Sequence, residues 1–443
     1  MIPNPRFTVQ RISCTVLLLL LACGQADADN WLHWRGPAGN GSATNANPPT
    51  QWSDTTNVKW KVAIPGKGSG SPIIWEDKVF VVSAVRSDGK PEPAQRQRPR
   101  GGRQGRPTGP IPELQFKIFC FDRNTGDEVW QQTAVTATPH QGTHSTNGFA
   151  SASPCTDGEH VYAHFGSVGL YCYTMDGKLK WQRDDLGKMD MRGGFGEGSS
   201  PTLADDKIIV PWDHQGMSHL YALDKMTGET VWKADRDEPT NWATPLIVSH
   251  DSRKQVIMNG ENAARAYDLQ SGEELWRCAG QTLRPVASPV AANGLVVIGS
   301  GRGGSFMGAF RLDGKGDIEG TDKVAWSLKQ NTPDIASPLL SSGRVYFFKQ
   351  KTGIVSSVDL MTGKPLIQPS RIRGINSTYA SPVAAGGNVY LTGRSGTTVV
   401  IKDADSLEVI ATNSVGETVD ATPAPVGNQL FIRGEKHLFC IAE

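Results

Sequence analysis

The sequence has almost no net charge and, after its first residues, no long apolar run. Lysine and arginine number 45 against 44 aspartate and glutamate residues, which gives a formal net charge of +1 at pH 7. Nothing in this balance points to nucleic-acid binding, and the one basic cluster, at 96–106, lacks the interleaved aromatics that such binding requires. Because a membrane-crossing helix needs about 20 consecutive apolar residues, no transmembrane segment is predicted either.

Short catalytic motifs are also missing. The sequence contains no Gly-x-Ser-x-Gly, no phosphate-binding P-loop and no His-Glu-x-x-His, which are signatures of hydrolases, nucleotide-binding enzymes and zinc peptidases. His140 and His144 are close in sequence, but two histidines without a third ligand do not predict a metal site. From the residues alone, we predict neither a catalytic set nor a metal site.

In contrast, one short pattern recurs throughout: a small residue, then Ser or Thr, then Pro. We call it the cassette. Its prolines lie 41 to 49 residues apart, except for one step of 82. This period is typical of a β-propeller with a four-stranded blade in each repeat, so an all-β propeller of eight blades is predicted. The eight copies are Gly70-Ser71-Pro72, Ala152-Ser153-Pro154, Ser199-Ser200-Pro201, Ala243-Thr244-Pro245, Ala287-Ser288-Pro289, Ala336-Ser337-Pro338, Ala380-Ser381-Pro382 and Ala421-Thr422-Pro423.

A second pattern places Asp, then Thr or Ser, then Gly before a Trp, as in Asp122 to Trp130. Asp and Gly favour a tight hairpin turn, and the Trp would begin the next strand and wedge between neighbouring blades. Residues 57–62 and 436–443 have the pattern of strands without a hairpin partner. We therefore predict that the N-terminal strand pairs with the C-terminal blade and closes the ring, which removes exposed sheet edges.

Cysteine is scarce, with five copies after residue 28. Cys120, Cys172 and Cys440 each lie between apolar strand residues, at the repeat position that Ala222 occupies in another blade. We interpret them as small buried residues. Since copies in different blades are too far apart to bridge, no disulfide is predicted.

The cassettes and the Trp pattern, from Trp31 to the C-terminus, resemble the PQQ-like (quinoprotein) propeller family. That family includes dehydrogenases that use pyrroloquinoline quinone (PQQ) and the non-enzymatic BamB-type propeller of the bacterial outer-membrane assembly machine. The resemblance implies the fold and leaves the activity open. Two features of catalytic members are absent: a pair of adjacent cysteines and the Cys-x-x-Cys-His haem attachment motif.

The start of the chain has the pattern of an export signal, with a basic stretch, an apolar run at 16–22 and a small-x-small cleavage site ending at Ala28. We predict a signal peptide at 1–28 and a periplasmic or secreted protein. In the alternative interpretation, Cys23 is the lipidated residue of an outer-membrane lipoprotein.

The mature chain divides into two parts. Residues 29–56 are predicted to form an irregular arm, packed on the propeller rim by Trp31 and Trp34, and residues 57–443 the propeller. Residues 86–109, rich in Arg, Pro and Gly, cannot bury enough apolar surface to fold and are predicted to be a disordered insertion in the first blade. In the alternative interpretation, their arginines form an electrostatic patch for an anionic partner such as lipid head groups, a polysaccharide or an acidic protein.

Propeller ligands bind at the mouth of the central channel, where each inner strand begins. The residues just before the cassettes should therefore surround one funnel, although the same residues could serve only as turn and strand-end caps. These candidates are Lys67, His144, Asn147, Glu197, Asn241, Trp242, Arg284, Asp334, Asn376, Tyr379 and Asp420.

The resemblance implies that a catalytic member needs a calcium site, a base and a ring stacked on the quinone. For the calcium site the candidates are Glu197 with Asn241. For the base they are Asp334 or Asp420, and for the stacked ring they are Trp242 or Tyr379. None can be aligned with the family's catalytic positions, so no cofactor is expected. We predict a monomeric, non-catalytic binding or scaffold protein of the cell envelope, with an envelope protein or a polysaccharide as partner. The alternatives are a PQQ- and calcium-dependent oxidoreductase of alcohols or sugars, and a carbohydrate or small-ligand binder in the funnel.

Overall fold

The structure is a computed structural model that describes residues 30–90 and 110–443. The predicted signal peptide, Cys23 and residues 91–109 of the predicted insertion lie outside these ranges. Within them, no helix is long and apolar enough to cross a membrane. Two short 3-10 helices occur, at Gly166–Val168 and Arg192–Gly194.

All other regular structure is β-strand. The strands, numbered in chain order, are β1 Ser42–Ala43, β2 Val58–Ala63, β3 Ile73–Trp75, β4 Lys78–Arg86, β5 Leu114–Asp122, β6 Glu128–Ala137, β7 Cys155–Thr156, β8 His160–His164, β9 Leu170–Thr174, β10 Leu179–Arg183, β11 Thr202–Ala204, β12 Lys207–Trp212, β13 Ser218–Asp224, β14 Thr230–Arg236, β15 Leu246–His250, β16 Arg253–Met258, β17 Ala264–Asp268, β18 Glu274–Cys278, β19 Val290–Ala292, β20 Leu295–Ser300, β21 Phe306–Arg311, β22 Gly316–Asp317, β23 Val324–Leu328, β24 Leu339–Ser341, β25 Arg344–Phe348, β26 Ile354–Asp359, β27 Pro365–Arg371, β28 Val383–Ala385, β29 Asn388–Thr392, β30 Thr397–Lys402, β31 Val409–Ser414, β32 Ala424–Val426, β33 Gln429–Arg433 and β34 His437–Ile441.

These strands form eight antiparallel blades of four, so the all-β, eight-bladed propeller predicted from the cassettes is confirmed. Each blade begins with a short inner strand directly after a cassette. In chain order the blades are β3–β6, β7–β10, β11–β14, β15–β18, β19–β21 with β23, β24–β27, β28–β31, and β32–β34 with β2. In the eighth blade, β2 is the outer strand and pairs antiparallel with β34, with Val62 opposite Leu438.

The cassettes are joined by a continuous ring of hydrogen bonds around the channel. The backbone N–H of each cassette Ser or Thr donates to the side-chain hydroxyl of the next cassette, at 2.8 to 3.1 Å. Thr422 N then donates to Ser71 Oγ at 2.9 Å and completes the hydroxyl ring. The cassette therefore needs Ser or Thr because a buried N–H must find an acceptor there.

The tryptophans of the second pattern join neighbouring blades, as predicted. The indole N–H of Trp60 donates to Arg123 O, in the hairpin of the next blade, at 2.9 Å. Gly126 of that hairpin has φ 77° and lies against the indole, where a Cβ would come within 2.8 Å of the ring. Glycine is needed for both reasons. The same contact recurs at Trp130, Trp181, Trp232 and Trp326.

The cysteines are explained by the same contact. Cys120 lies opposite Trp130, Cys172 opposite Trp181, and Cys440 opposite Trp60 on the adjacent strand. A large ring facing a small residue lets neighbouring blades interdigitate. All five cysteines among the described residues are buried and free.

One boundary and one element differ from the prediction. Arg86 does not belong to the insertion, because it is the last residue of β4 and pairs with Leu114 of β5. The long first hairpin therefore stays regular up to this residue. A second difference concerns β1, in the predicted irregular arm, which adds to the seventh blade by parallel pairing of Ser42 with Ala384.

The predicted packing of the arm on the propeller rim is wrong: the arm crosses the channel on the side that follows the cassettes. It contacts the inner strands of five blades, through Trp31, Leu32, His33, Asn40 and Gly41. At its centre, the guanidinium of Arg35 donates to Pro382 O at 2.8 Å and to Pro338 O. Both carbonyls belong to cassette prolines. The arm therefore closes one end of the channel.

Candidate functional site

The other end of the channel opens into a funnel with a cavity of about 260 Å³. Its floor consists of Trp34, from the arm, and of seven hydroxyl-ring residues. Each ring hydroxyl already accepts a backbone N–H, so its own O–H hydrogen is left to bond solvent or a ligand. The seven are Ser71, Ser153, Ser200, Thr244, Ser288, Ser381 and Thr422.

Four aromatic side chains line the funnel: Trp34, Phe195, Trp242 and Tyr379. The indole N–H of Trp242 donates to Gly196 O at 2.7 Å, which fixes the ring in place. The guanidinium of Arg394 lies 4.2 Å from the centre of the Tyr379 ring. Held rings with a few convergent polar groups are typical of small-ligand sites.

Cationic side chains in the funnel outnumber carboxylates. The cavity is lined by three cationic side chains, Arg284, Arg302 and Lys351, and by one carboxylate, Asp420. Both oxygens of Asp420 accept from Arg394, at 2.6 and 2.9 Å. Because that carboxylate is already paired, the funnel has a positive potential that favours anionic ligands.

Arg284 is held in a strained conformation at the funnel wall. Its φ of 46° lies in the left-handed region, and its backbone N–H donates to Glu261 Oε2 at 2.8 Å. Its guanidinium is 3.8 Å from Asp334. Burial lowers the pKa of Arg284; Asp334 opposes this effect and Arg302 adds to it. Strain of this kind is concentrated at functional sites.

His144 acts as an acceptor rather than a cation. Burial lowers the pKa of His144, and the positive charges of Lys351 and Arg284 lower it further. Its Nδ1 accepts the backbone N–H of Thr146 at 3.2 Å. The imidazole is therefore neutral near pH 7, and its ring packs edge-on against Phe195.

The structure brings six of the predicted residues together. Those that line the funnel are His144, Asn147, Trp242, Arg284, Tyr379 and Asp420. Lys67 lines a narrower cavity beside it. Asp334 is buried behind Arg284, and burial raises the pKa of Asp334. Asn376 is exposed.

Glu197 and Asn241 lie outside the funnel, contrary to our expectation, in a separate cavity of about 40 Å³. The Glu197 carboxylate accepts from the backbone N–H of Ser167 at 2.7 Å and from its hydroxyl, and burial raises the pKa of Glu197. The Asn241 amide donates to Asp213 at 3.0 Å, and its carbonyl accepts from Ala243. These oxygens are engaged by the protein.

Glu197 and Asn241 supply at most three side-chain oxygens, whereas a calcium ion takes six to eight oxygen ligands, so these two residues alone do not fit a calcium site. Among residues 30–90 and 110–443, no group of three or more His, Cys, Asp and Glu side chains could hold a metal.

Sequence reasoning missed three funnel residues, Phe195, Arg302 and Lys351, and it assigned Trp34 to packing on the rim. Arg302 and Lys351 follow the second strands β20 and β25, rather than preceding a cassette. Phe195 lies only two residues before Glu197, so a wider window before each cassette would have included it. Trp34 belongs to the arm, which has no repeat register from which its place could be predicted.

Eight blades, a hydroxyl ring and docked tryptophans together define a PQQ-like β-propeller. The chain belongs to the family described as outer membrane protein assembly factor BamB, which matches residues 115–368 and 216–443. No curated protein matches the chain in sequence.

Solved structures show the same fold at low identity. BamB from Moraxella catarrhalis is 13% identical with a TM-score of 0.56, and the match covers 86% of this chain and 98% of that one. Quinohemoprotein alcohol dehydrogenase from Comamonas testosteroni is 11% identical with a TM-score of 0.65, covering 94% and 80%. The computationally designed Ika8 protein is 12% identical with a TM-score of 0.53, covering 77% and 98%.

Proposed function

We propose that this chain is a non-catalytic binding protein of the cell envelope that holds the end of an acidic polysaccharide in its funnel. The observation that carries the proposal is the combination of four aromatic rings with three cations and one paired carboxylate around a closed-ended cavity. The rings offer flat faces for sugars, and arginine bonds a carboxylate through two parallel hydrogen bonds.

The size of the funnel favours the end of a chain over its middle. Its volume of about 260 Å³ is slightly below the range of roughly 300–1,000 Å³ that is usual for small-ligand pockets. Trp34 and the arm close the cavity below, so a polymer cannot thread through the channel. A terminal acidic sugar fits these limits.

The envelope location rests on the predicted signal peptide and on the family description, which names an outer-membrane assembly factor. An exported propeller of this kind would meet acidic polysaccharides directly. It would need no cofactor to bind them.

Calorimetry of the mature chain with trigalacturonic acid tests the proposal, with neutral maltotriose as the control ligand. We expect binding of the acidic sugar only. Trp242→Ala should weaken it by about 1–3 kcal/mol, since truncation of a central aromatic contact typically has that effect. Arg284→Met should weaken it as well, whereas Arg371→Met, at an exposed arginine of β27, should leave it unchanged. Equal affinity for both sugars, or wild-type affinity in Trp242→Ala, would contradict the proposal.

A second candidate is a scaffold that binds a protein partner through the propeller rim, which the family description favours. Capture from envelope extracts separates the two functions. A scaffold should retain the same protein with wild-type chain and with Trp242→Ala, and excess trigalacturonic acid should not release it.

The structure meets only part of the requirements of the oxidoreductase alternative. The cations and rings of the funnel suit a flat, carboxylated quinone, but Glu197 and Asn241 do not offer free oxygens to calcium. We expect that calcium adds nothing to any rise in unfolding temperature that PQQ produces. A calcium-dependent rise that disappears in the Glu197→Gln, Asn241→Ala double variant would favour the dehydrogenase.

A further inference from the structure

Two cationic side chains of the funnel, Arg302 and Lys351, belong to consecutive blades. Arg302 follows the last residue of β20 by two positions, and Lys351 follows the last residue of β25 by three. Both side chains line the cavity. In chain order around the funnel they lie between Trp242 and Tyr379, the aromatic side chains that the proposed sugar would contact.

The loops that carry these two cations are joined to each other and to the segment between them. The side-chain amide of Gln350 donates to Gly301 O at 3.0 Å. The backbone N–H of Gln350 donates to Thr332 O at 2.8 Å. Because Gly301 and Gln350 are the sequence neighbours of Arg302 and Lys351, the backbone that carries both cations is held in place before any ligand binds.

The fold supplies neither cation with a counter-ion. Among residues 30–90 and 110–443, the side chains of Arg302 and Lys351 make no hydrogen bond and no ion pair. Burial raises the pKa of Asp334, and the charges of Arg284 and of both cations oppose this rise. Asp334 itself forms an ion pair with Arg284, at 3.8 Å. One buried carboxylate therefore serves three cations, and the excess positive charge faces the cavity.

The seventh blade shows how the fold satisfies a cation in such a loop. Arg394 follows β29 by two residues, as Arg302 follows β20, and both oxygens of Asp420 accept from it. Asp420 stands three residues before its cassette proline, where the sixth and seventh blades have Ile335 and Tyr379. The blades that follow the two unpaired cations therefore place no carboxylate at this position.

From this comparison we propose that Arg302 and Lys351 form a subsite for a sulfate ester on the terminal sugar. The inference rests on the proposed function and adds to it, since Arg284 remains the arginine for the sugar carboxylate. A planar carboxylate matches one arginine fork, whereas these two cations come from separate loops and carry donors of different shape. The tetrahedral oxygens of a sulfate ester can accept from both at once.

The balance of charge favours the same ligand. Arg284, Arg302 and Lys351 carry three positive charges, and Asp334 can offset one of them. The carboxylate of an acidic sugar and a singly charged sulfate ester together match the two that remain. We therefore assign the funnel to the end of a sulfated acidic polysaccharide.

Calorimetry with a matched pair of ligands tests the subsite: a chondroitin tetrasaccharide that carries 6-sulfate esters and the same tetrasaccharide without them. We expect the mature chain to bind the sulfated form about tenfold more tightly, because hydrogen bonds to charged groups strengthen binding by at least about this factor. Equal affinity for the two forms, with trigalacturonic acid still bound, would overturn the subsite alone. Failure to bind all three sugars would overturn the proposed function as well.

Variants separate the subsite from a general attraction by the charge of the funnel. Lys351→Met and Arg302→Met should each remove most of the tenfold preference for the sulfated form, whereas Arg284→Met should weaken both forms and keep the preference. An equal loss of preference in all three variants would overturn the proposal, because total charge would then explain the gain. Since neither removed side chain bonds to a described residue, both subsite variants should unfold at the wild-type temperature.

Discussion

Two buried arginines, at opposite ends of the channel, have different surroundings. Arg35 donates to the carbonyls of Asn40, Pro338 and Pro382, whereas the guanidinium of Arg433 meets no acceptor among the described residues. Burial lowers the pKa of Arg35 to about 9 and that of Arg433 to about 10. The fold thus uses arginine as a crosslink on the arm side of the hydroxyl ring, whereas the guanidinium on the funnel side has no hydrogen-bond acceptor among the described residues.

Removing the crosslink should have the largest effect. Arg35→Ala leaves buried carbonyls without donors, each at a cost of roughly 1–3 kcal/mol, and opens a cavity under Trp34. We expect the free energy of unfolding in urea to fall by about 3 kcal/mol. Arg371→Ala is the matched control and should change it by less than about 0.5 kcal/mol. An equally small effect of Arg35→Ala would show that Arg35 does not stabilise the closed end of the channel as a crosslink.

Acid should have the second-largest effect on stability, through a histidine at the end of the channel that the arm closes. Burial and the neighbouring Arg35 lower the pKa of His33 to about 3, from an ordinary 6.5. Below pH 6.5 the unfolded chain takes up a proton that the folded chain refuses, so stability falls as the pH falls. The loss approaches about 1.4 kcal/mol per pH unit, or about 2 kcal/mol at pH 5.

Urea unfolding at pH 7.5 and pH 5.0 checks this effect. His33→Gln keeps a polar group near Thr202, to which His33 Nε2 is bonded, but cannot be protonated. The variant should lose about 2 kcal/mol less than the wild type between the two pH values. The same loss in both proteins would assign the acid sensitivity to other groups.

A break in the hydroxyl ring should have the smallest effect of the three. Ser337→Ala removes the acceptor of the Ser288 N–H, bonded at 2.8 Å, and should lower the free energy of unfolding by about 1 to 2 kcal/mol. Ser337→Thr keeps the hydroxyl and should lose less, since Thr already occurs at two ring positions. A larger loss for Thr than for Ala would show that space, not the acceptor, decides this position.

The repeats were readable from sequence because their contacts repeat with them. The Ser or Thr of each cassette meets the same partner in the next blade, and each docked Trp meets a hairpin glycine. Because the same contacts recur in eight blades, the residues that make them recur in the sequence with a regular period, and that period predicts the fold. Even so, the acceptor role of the cassette hydroxyl was visible only in the structure.

The funnel was less predictable because it depends on side-chain direction and on residues outside the repeat. Glu197 is one residue further from its cassette proline than Asp420 is, and its side chain turns away from the funnel to meet Ser167. Trp34 comes from the arm, whose path no period describes.

The hydroxyl ring has a consequence for how such proteins diversify. At the channel, neighbouring blades are joined through the N–H and the hydroxyl of the cassettes, so the side chains that precede the cassettes are not needed to complete the hydroxyl ring. Eight positions around the mouth can then be exchanged one at a time, by mutation or by swapping whole blades, without reopening the ring. Ancestral propellers could acquire new ligands in this way while keeping one unchanged frame.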